Sequence, residues 1–247
     1  MKLLILFTVL SSVLSAQQLG FGCLGFVGGF AGYEIQGYKP TGLNSYIGSL
    51  NTLRSDSLIS PGGDFSRLSG YRFGINIIRN RVSGFEYTVK GFYSALTETR
   101  DLHIRSVLGQ KTEEFEVKLN SFGVGIELGS TITKFLSIKI INAEVSYNTA
   151  ILFRRIMVND NQLIREKNTS SAGGIGWNVG GGFIIYLLER QISIEGQAGL
   201  SNLKIDRLEK PDGSPFPKDE QSNEPMTDFI SGGGFTALIQ LNISFPL

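Results

Sequence analysis

The chain has 247 residues and nearly balanced charge, with 23 Lys and Arg residues, 22 Asp and Glu residues and one His. A net charge of +1 leaves no basic stripe to neutralise phosphates, which argues against a nucleic-acid partner. The single cysteine, Cys23, excludes an intramolecular disulfide framework. After the N-terminus, no segment reaches the ~20 apolar residues that a transmembrane helix needs.

The N-terminus has the layout of a secretory signal peptide. Lys2 supplies a positive charge, residues 3–14 are apolar, and Ser15-Ala16 precede the polar Gln17. The apolar run is too short to span a bilayer as a helix. We therefore expect a signal peptide over residues 1–16 and one barrel domain over residues 17–247.

Alternation of apolar and polar residues is the mark of a β-strand with two unlike faces. It predicts eight strands: Gly20–Ile35, Arg67–Arg79, Val82–Glu98, Glu114–Gly129, Leu136–Phe153, Ala172–Leu188, Gln191–Ile205 and Phe229–Phe245. The predicted short turns are Arg79-Asn80-Arg81, Ser130–Phe135 and Glu189-Arg190. The predicted long connections are Gln36–Ser66, Thr99–Glu113, Arg154–Ser171 and Asp206–Asp228.

Short and long connections alternate, so in an up-and-down meander every long one falls at the same end. Outer-membrane barrels have this arrangement, with short periplasmic turns and long external loops. An immunoglobulin-like sandwich mixes loop lengths and uses crossover connections. The pattern therefore favours a barrel.

The composition of the two strand faces indicates which one meets solvent. The strands Ala172–Leu188 and Phe229–Phe245 carry no charged residue, and their polar faces are mostly glycine and amides. Such a face suits a narrow bore, whereas the aromatic face would overfill it. We predict an all-β, closed eight-stranded antiparallel up-and-down transmembrane β-barrel in the cell outer membrane. A secreted lipocalin-like carrier is the structural alternative.

A polar network is expected inside this barrel, because unpaired ions in a low-dielectric tube cost several kcal/mol. Its predicted members are Arg72, Glu86, Lys90, Glu127, Glu144, Glu195 and Gln240. They form either a structural plug of salt bridges or a gated ion path. Eight strands leave an interior only just wide enough for side chains, which favours the plug.

The fourth predicted strand contains a change of phase. Its residues Phe115, Val117 and Leu119 alternate out of step with Phe122 and the apolar residues after it. A bulge near Asn120-Ser121 is one explanation. The other is that the upper part of this strand rises beyond the bilayer.

Two of the long connections have features of their own. In the first, Leu43, Tyr46, Ile47, Leu50 and Leu53 recur at helical spacing, which predicts a short amphipathic helix that caps the barrel mouth or contacts a partner or lipid. The last connection, "EKPDGSPFPKDEQSNEP", mixes both charges with four prolines and is predicted to be mobile.

Candidate chemistry is sparse. His103, the only histidine, lies three residues before Ser106, so a serine-hydrolase-like site that modifies lipid A is conceivable if a carboxylate orients the histidine. The sequence contains no metal-ligand spacing, phosphate-binding loop or nucleotide fingerprint. We therefore assign no catalytic residue, no metal site and no cofactor.

The whole pattern resembles the small outer-membrane barrels: the OmpA transmembrane domain, OmpX and the PorT-like "outer membrane protein beta-barrel domain" proteins. The leader, the eight amphipathic strands and the last strand "FTALIQLNISFPL" carry this resemblance. Phe245 looks like the terminal aromatic residue that the barrel assembly machinery recognises, although Pro246-Leu247 follow it. The resemblance implies outer-membrane lipid and lipopolysaccharide as neighbours.

The expected function is a non-enzymatic structural or interaction role, in which the external loops meet an extracellular partner of unknown identity. A narrow porin-like channel is the first alternative. A lipid A-modifying enzyme is the second.

Overall fold

The computed structural model describes residues 26–82, 84–107, 109–159, 161–188 and 191–246. The predicted signal peptide, Cys23 and the turn at Glu189-Arg190 lie outside these ranges. The elements, in chain order, are β1 (Phe26–Lys39), α1 (Thr41–Leu53), a 3-10 turn (Ser55–Ser57), β2 (Leu58–Ser60), β3 (Arg67–Val82), β4 (Phe85–Ser106), β5 (Gly109–Thr131), β6 (Leu136–Val158), β7 (Asn161–Ser170), β8 (Gly174–Leu188), β9 (Ile192–Leu203), β10 (Leu208–Glu209) and β11 (Gly232–Pro246).

Eight of these strands close into a ring of antiparallel neighbours. The order is β1–β3–β4–β5–β6–β8–β9–β11, and β11 pairs back onto β1 from Phe26↔Pro246 to Lys39↔Gly232. Closure matters in a bilayer because an open strand edge leaves unpaired amides in hydrocarbon. The ring confirms the predicted eight-stranded up-and-down barrel.

The outside of the ring is apolar. Its exposed side chains include Tyr71, Phe73, Ile75, Val124, Ile126, Val145, Val179, Ile239 and Leu241. The polar faces of the same strands point inward and are buried. An apolar exterior around a polar interior is the arrangement of transmembrane barrels of the outer membrane, so the predicted fold and location are both confirmed.

The inward side of β5 changes from polar to apolar near Asn120 without any change of register. Below this level the apolar residues face outward: Phe122, Val124, Ile126 and Leu128. Above it they face inward and are fully buried: Phe115, Val117 and Leu119. The pairing of β5 with β4 continues from Ser130 to Gly109 without a shift, so the predicted bulge near Asn120-Ser121 is wrong. The alternative, an upper part that rises beyond the bilayer, is what the structure has.

This reversal of polarity marks the outer edge of the membrane-spanning segment. Asn120 to Ser130 is ten steps of ~3.3 Å, which at a tilt of ~40° gives about 25 Å along the membrane normal. That is the height of the apolar band in such barrels. At the outer edge the Tyr93 hydroxyl donates to Oδ1 of Asn120 at 2.9 Å, as expected for an aromatic residue at the interface.

Beyond this edge the strands continue as a projecting sheet, which we define as β2, Thr97–Ser106 of β4, Gly109–Lys118 of β5, Ile151–Val158 of β6, β7 and β10, in the order β2–β4–β5–β6–β7–β10. The strand β6 pairs with β8 inside the membrane and with β7 above it. The predicted long connections at Thr99–Glu113 and Arg154–Ser171 are therefore wrong, because most of their residues extend the strands. Polar residues on the outward face made these extensions look like loops in the sequence.

The cap, which we define as α1 and residues 204–231, packs on the inward face of the projecting sheet. The predicted amphipathic helix is present, and Leu43, Tyr46, Ile47 and Leu50 are buried at spacings of three and four. The Tyr46 ring lies 6.2 Å from the Phe115 ring, centre to centre. Among the described residues, no helix is long and apolar enough to cross a membrane.

The last long connection is ordered by this same packing. Its residues Phe216 and Met226 of this connection, and Phe229 and Ile230 directly after it, are at most 2% exposed, and the Phe216 ring lies 5.1 Å from that of Tyr46. The prediction of a mobile segment over residues 209–225 is therefore wrong at Phe216, which lies inside that segment. Its charges and prolines gave a disorder signal, but a few apolar residues anchor it in a core that the rest of the chain supplies.

The intrinsic fluorescence of Trp177 can test which face of the barrel contacts lipid, without an added label. It is the only tryptophan, lies on the outer face of β8 opposite Val145, and is 48% exposed. We expect phospholipids that carry bromine on their acyl chains to quench its fluorescence strongly in vesicles. A matched variant, Trp177→Phe with His103→Trp, moves the reporter to the projecting sheet, where aqueous iodide should quench it instead. Quenching of Trp177 by iodide alone would contradict the orientation.

Candidate functional site

The bore contains all seven residues that the sequence assigns to a polar interior. Each is at most 6% exposed: Arg72, Glu86, Lys90, Glu127, Glu144, Glu195 and Gln240. Six of them belong to one network of ion pairs. Gln240 joins it indirectly, because its amide donates to Asn242 at 2.9 Å and Asn242 in turn donates to Glu195 at 3.4 Å.

The network is an unbranched chain of ten charges whose sign alternates at every step. In order, its members are Glu34, Arg72, Glu144, Lys90, Glu127, Lys139, Glu195, Arg79, Glu86 and Arg81. At its centre, Lys90 Nζ lies 2.6 Å from Glu144 and 2.5 Å from Glu127. The longest links, Arg72–Glu34 and Arg79–Glu86, are 3.7 Å. Every charge except the two at the ends therefore contacts two of opposite sign.

Neutral side chains satisfy the remaining oxygens. Ser94 donates to Glu34 at 2.7 Å, the Tyr186 hydroxyl donates to Glu86 at 2.6 Å, and the Gln197 amide donates to Glu127 at 2.9 Å. A buried ion pair compensates for its desolvation only if its geometry is good and its other hydrogen-bonding positions are filled. These bonds meet that condition in part, because Arg72 Nε, Arg79 Nη1 and Arg81 Nε are buried without a hydrogen-bond partner. The paired charges fill the bore, as a structural plug would.

Four charged members of the network are not in the predicted set: Glu34, Arg79, Arg81 and Lys139. The sequence placed Arg79 and Arg81 in a tight turn, which is wrong because β3 continues to Val82. Lys139 faces the bore although simple alternation along β6 would place it outside, because the pairing of β6 with β8 shifts between Lys139 and Asn142. One signal was available in the sequence. The predicted interior had four glutamates and only two cations, so further cations were needed nearby to balance the charge.

The bore is filled as well as neutralised. The Phe92 ring lies over Gly123, where an added Cβ would come within 2.3 Å of the ring. The Arg72 guanidinium carbon lies 3.6 Å above the centre of that ring. Two cavities in the described part of the bore are small, about 30 Å³ beneath the cap and about 10 Å³ near Lys139, the larger with room for one or two water molecules.

A second charged cluster joins the cap to the projecting sheet. Arg154 lies 3.0 Å from Glu113 and 2.5 Å from Glu220, and Arg54 lies 2.9 Å from both oxygens of Glu220. Glu113 also contacts Arg54 and Lys111. Burial by itself would raise the pKa of Glu113, but the hydrogen bond from Lys111 and the charges of Arg154 and Arg54 outweigh it and lower that pKa. The Glu113 carboxylate therefore fixes Arg54, which directly follows α1, and Arg154, and these two arginines in turn hold Glu220 of the cap.

His103 lies on the outward face of the projecting sheet. Its Nδ1 is 3.0 Å from the Thr112 hydroxyl, and no described carboxylate forms an ion pair with it. Among the described residues, no carboxylate therefore orients the His103 ring by an ion pair, as the acid of a hydrolytic site would. Within the described ranges, no group of three or more His, Cys, Asp or Glu side chains is placed to hold a metal ion.

Comparisons with known proteins bear on the architecture. No family model matches the chain, and no curated protein matches it. Solved structures with a similar fold include Ail, the attachment invasion locus protein of Yersinia pestis, at 11% identity and a TM-score of 0.39, covering 90% of this chain and 99% of Ail.

Two further structures are similar. Neisserial surface protein A has 11% identity and a TM-score of 0.41, with 90% of this chain and 97% of that protein covered. A major outer membrane protein from Thermus thermophilus has 10% identity and a TM-score of 0.43, with 88% and 99% covered. Values this low carry no argument about what this chain binds or does.

Loss of a central member of the ion chain should destabilise the barrel. Glu127→Ala leaves Lys90 and Lys139 each with one partner, and we expect the free energy of unfolding to fall by about 3–5 kcal/mol. Urea unfolding in lipid vesicles, followed by Trp177 fluorescence, measures this change. The control is Lys218→Ala, which breaks an exposed pair with Glu224 and should leave unfolding unchanged. Equal unfolding curves for the two variants would contradict the assignment.

The cap should loosen in acid. Because the pKa of Glu113 is lower in the folded protein, its contribution is fully present above the ordinary glutamate value of 4.5 and is lost as pH falls through the folded value. A nitroxide label at Gln221→Cys, in a Cys23→Ser background, should gain mobility as the pH is lowered from 4.5 through the folded pKa of Glu113. Glu113→Gln should give a mobile label already at neutral pH and remove this transition. A label whose mobility is the same at all pH values in both proteins would contradict the role of Glu113.

Proposed function

We propose that this protein is a non-enzymatic interaction protein of the outer membrane, in which the barrel is the anchor and the projecting sheet with its cap is the surface presented to an extracellular partner. The supporting observation is that β4, β5 and β6 continue beyond the membrane edge as one ordered sheet. From Asn120 to Gly109, β5 alone extends about 35 Å along its length.

The rigidity of this projection supports a recognition role. Its inward face is buried against α1 and the last connection, and the cluster around Glu113 joins the three segments. A pre-ordered surface pays little conformational entropy on binding, which favours affinity. A segment whose only task was to keep the outer surface soluble would not need a hydrophobic core of its own.

Other partners follow from the barrel. We propose that outer-membrane lipid, including lipopolysaccharide, surrounds the apolar belt, and that the barrel assembly machinery acts on the C-terminal strand. A porin-like channel is less well supported because the alternating ion chain and Phe92 fill the bore. A lipid A-modifying role for His103 and Ser106 is also less well supported, since no described carboxylate forms an ion pair with His103.

Photocrosslinking in growing cells tests this proposal. A photoreactive amino acid at Thr99 or Asp101, both exposed on the outward face of the projecting sheet, should give a covalent adduct with the same partner. The matched position is Lys134, exposed in the turn between β5 and β6 at the opposite end of the barrel, which should not give this adduct.

The same purified protein should show no conductance above background in a planar bilayer. Discrete conductance steps would replace the proposed role by that of a channel. Absence of an adduct from both sheet positions would remove the interaction role.

A further inference from the structure

The projecting sheet ends in a strand whose second edge is largely uncovered. One edge of β7 pairs with β6 along Asn161–Thr169. The other edge pairs only with β10, at Thr169 and Ser170. Between Asn161 and Asn168, no described strand covers this edge, and it lies above the membrane, where water and other chains reach it. A free strand edge is a template for the addition of another strand.

The side chains along this edge are unusual for a surface in water. Leu163 is 62% exposed and Ile164 is 45% exposed, and both lie outside the apolar belt that lipid covers. The pairing of β7 with β6 shifts between Ile156 and Met157, which leaves Leu163 without an opposite residue. An added strand would cover part of this apolar area.

The charge of the edge indicates the chemistry of such a strand. Arg165 and Lys167 are exposed and lie two residues apart, so they share one face of the sheet. Arg165 lies directly opposite Arg155, and Arg155 is engaged by Glu114 and Glu116. Neither Arg165 nor Lys167 lies within 4 Å of a carboxylate among the described residues, and Arg165 stacks instead at 5.1 Å on the Phe153 ring.

The charges of Arg165 and Lys167 also indicate which kind of strand can pair with the free edge of β7. A second copy of this chain would bring its own Arg165 and Lys167 to the same edge, and like charges across strands are destabilising. A strand with acidic residues at alternate positions would place them beside both cations. Apolar residues at the intervening positions would then fall on the face of Ile164, which lies opposite the buried Ile156.

We infer that the free edge of β7, residues Asn161–Asn168, binds an extended segment of a partner protein in which acidic and apolar residues alternate, by adding it as a further strand of the projecting sheet. This inference rests on the proposed interaction role and names the site and the partner chemistry. Main-chain hydrogen bonds to the edge supply affinity, and the two cations supply selectivity.

The experiment uses the full chain folded in detergent micelles and a fluorescent peptide of alternating glutamate and valine. Fluorescence anisotropy should show saturable binding of this peptide and at least tenfold weaker binding of the same peptide with lysine in place of glutamate. Arg165→Gln with Lys167→Gln should weaken binding of the glutamate peptide at least tenfold. The matched control, Arg207→Gln with Lys210→Gln, removes two exposed cations of the cap and should leave binding unchanged.

Backbone methylation separates strand addition from simple attraction between charges. Successive amides of a strand point to opposite edges, so methylation of every glutamate nitrogen blocks one edge and methylation of every valine nitrogen blocks the other. We expect one methylated peptide to bind and the other to fail. If both bind, the edge is only an anion-binding patch and strand addition is wrong. If neither methylated peptide binds, binding does not depend on hydrogen bonds from a single edge of the peptide, and the inference is also wrong.

Failure here and failure of the proposed function have different signatures. If no peptide binds but Thr99 and Asp101 still crosslink a partner, the interaction role stands and the assignment to the edge of β7 falls. If the Gln variants fail to regain heat-modifiable migration on gels, Arg165→Lys with Lys167→Arg keeps the charges and should bind like the unmodified protein. Loss of binding in that folded variant would overturn the role of charge.

Discussion

The constraint on which this structure depends is that hydrocarbon satisfies neither backbone amides nor charges. The first half of the constraint requires a closed ring, and pairing of β1 with β11 supplies it. The second half requires that charged side chains on the strands turn inward and meet partners there. Ten such charges do so as a single alternating chain, with polar groups such as Tyr186 and Gln197 at the remaining oxygens. The plug is therefore the counterpart of the apolar exterior.

The direction in which apolar side chains face is reversed at the membrane edge within the same strands. Inside the bilayer their apolar residues face outward, and above it their apolar residues face inward, although neither the strand nor its register is interrupted. The inward apolar residues of the upper part then need cover, which α1 and the last connection provide. Hence the cap follows from the change of solvent along one continuous strand, and it converts long hairpins into a rigid projection.

The barrel and the projecting sheet meet different surroundings, because lipid covers the barrel and the projecting sheet stands above the membrane edge. The barrel contributes a fixed orientation, since its short turns lie at the end where β1 begins and β11 ends. The projecting sheet contributes a surface with an uncovered strand edge at β7, where Arg165 and Lys167 have no carboxylate partner among the described residues. Anchoring in the membrane and the proposed interaction role therefore draw on different residues.

The barrel could be predicted from the sequence, because alternation with period two, together with two strands that carry no charge, favours an apolar face turned to lipid. The sequence also placed Arg72, Lys90 and the four glutamates of the bore on the inward face, and it located the buried face of α1. The ends of the strands and the partners of the charges depend on tertiary contacts that the local pattern does not contain. The ends of strands were misplaced because polar residues on a solvated outward face look like loop residues, as around Thr99. Partners such as Lys139 depend on a shift of register between β6 and β8, and the order of the last connection depends on a core supplied by distant segments. The local sequence pattern indicates whether each residue favours a polar or an apolar environment. The pairing of distant strands and the burial of one segment by another arise only in the closed barrel.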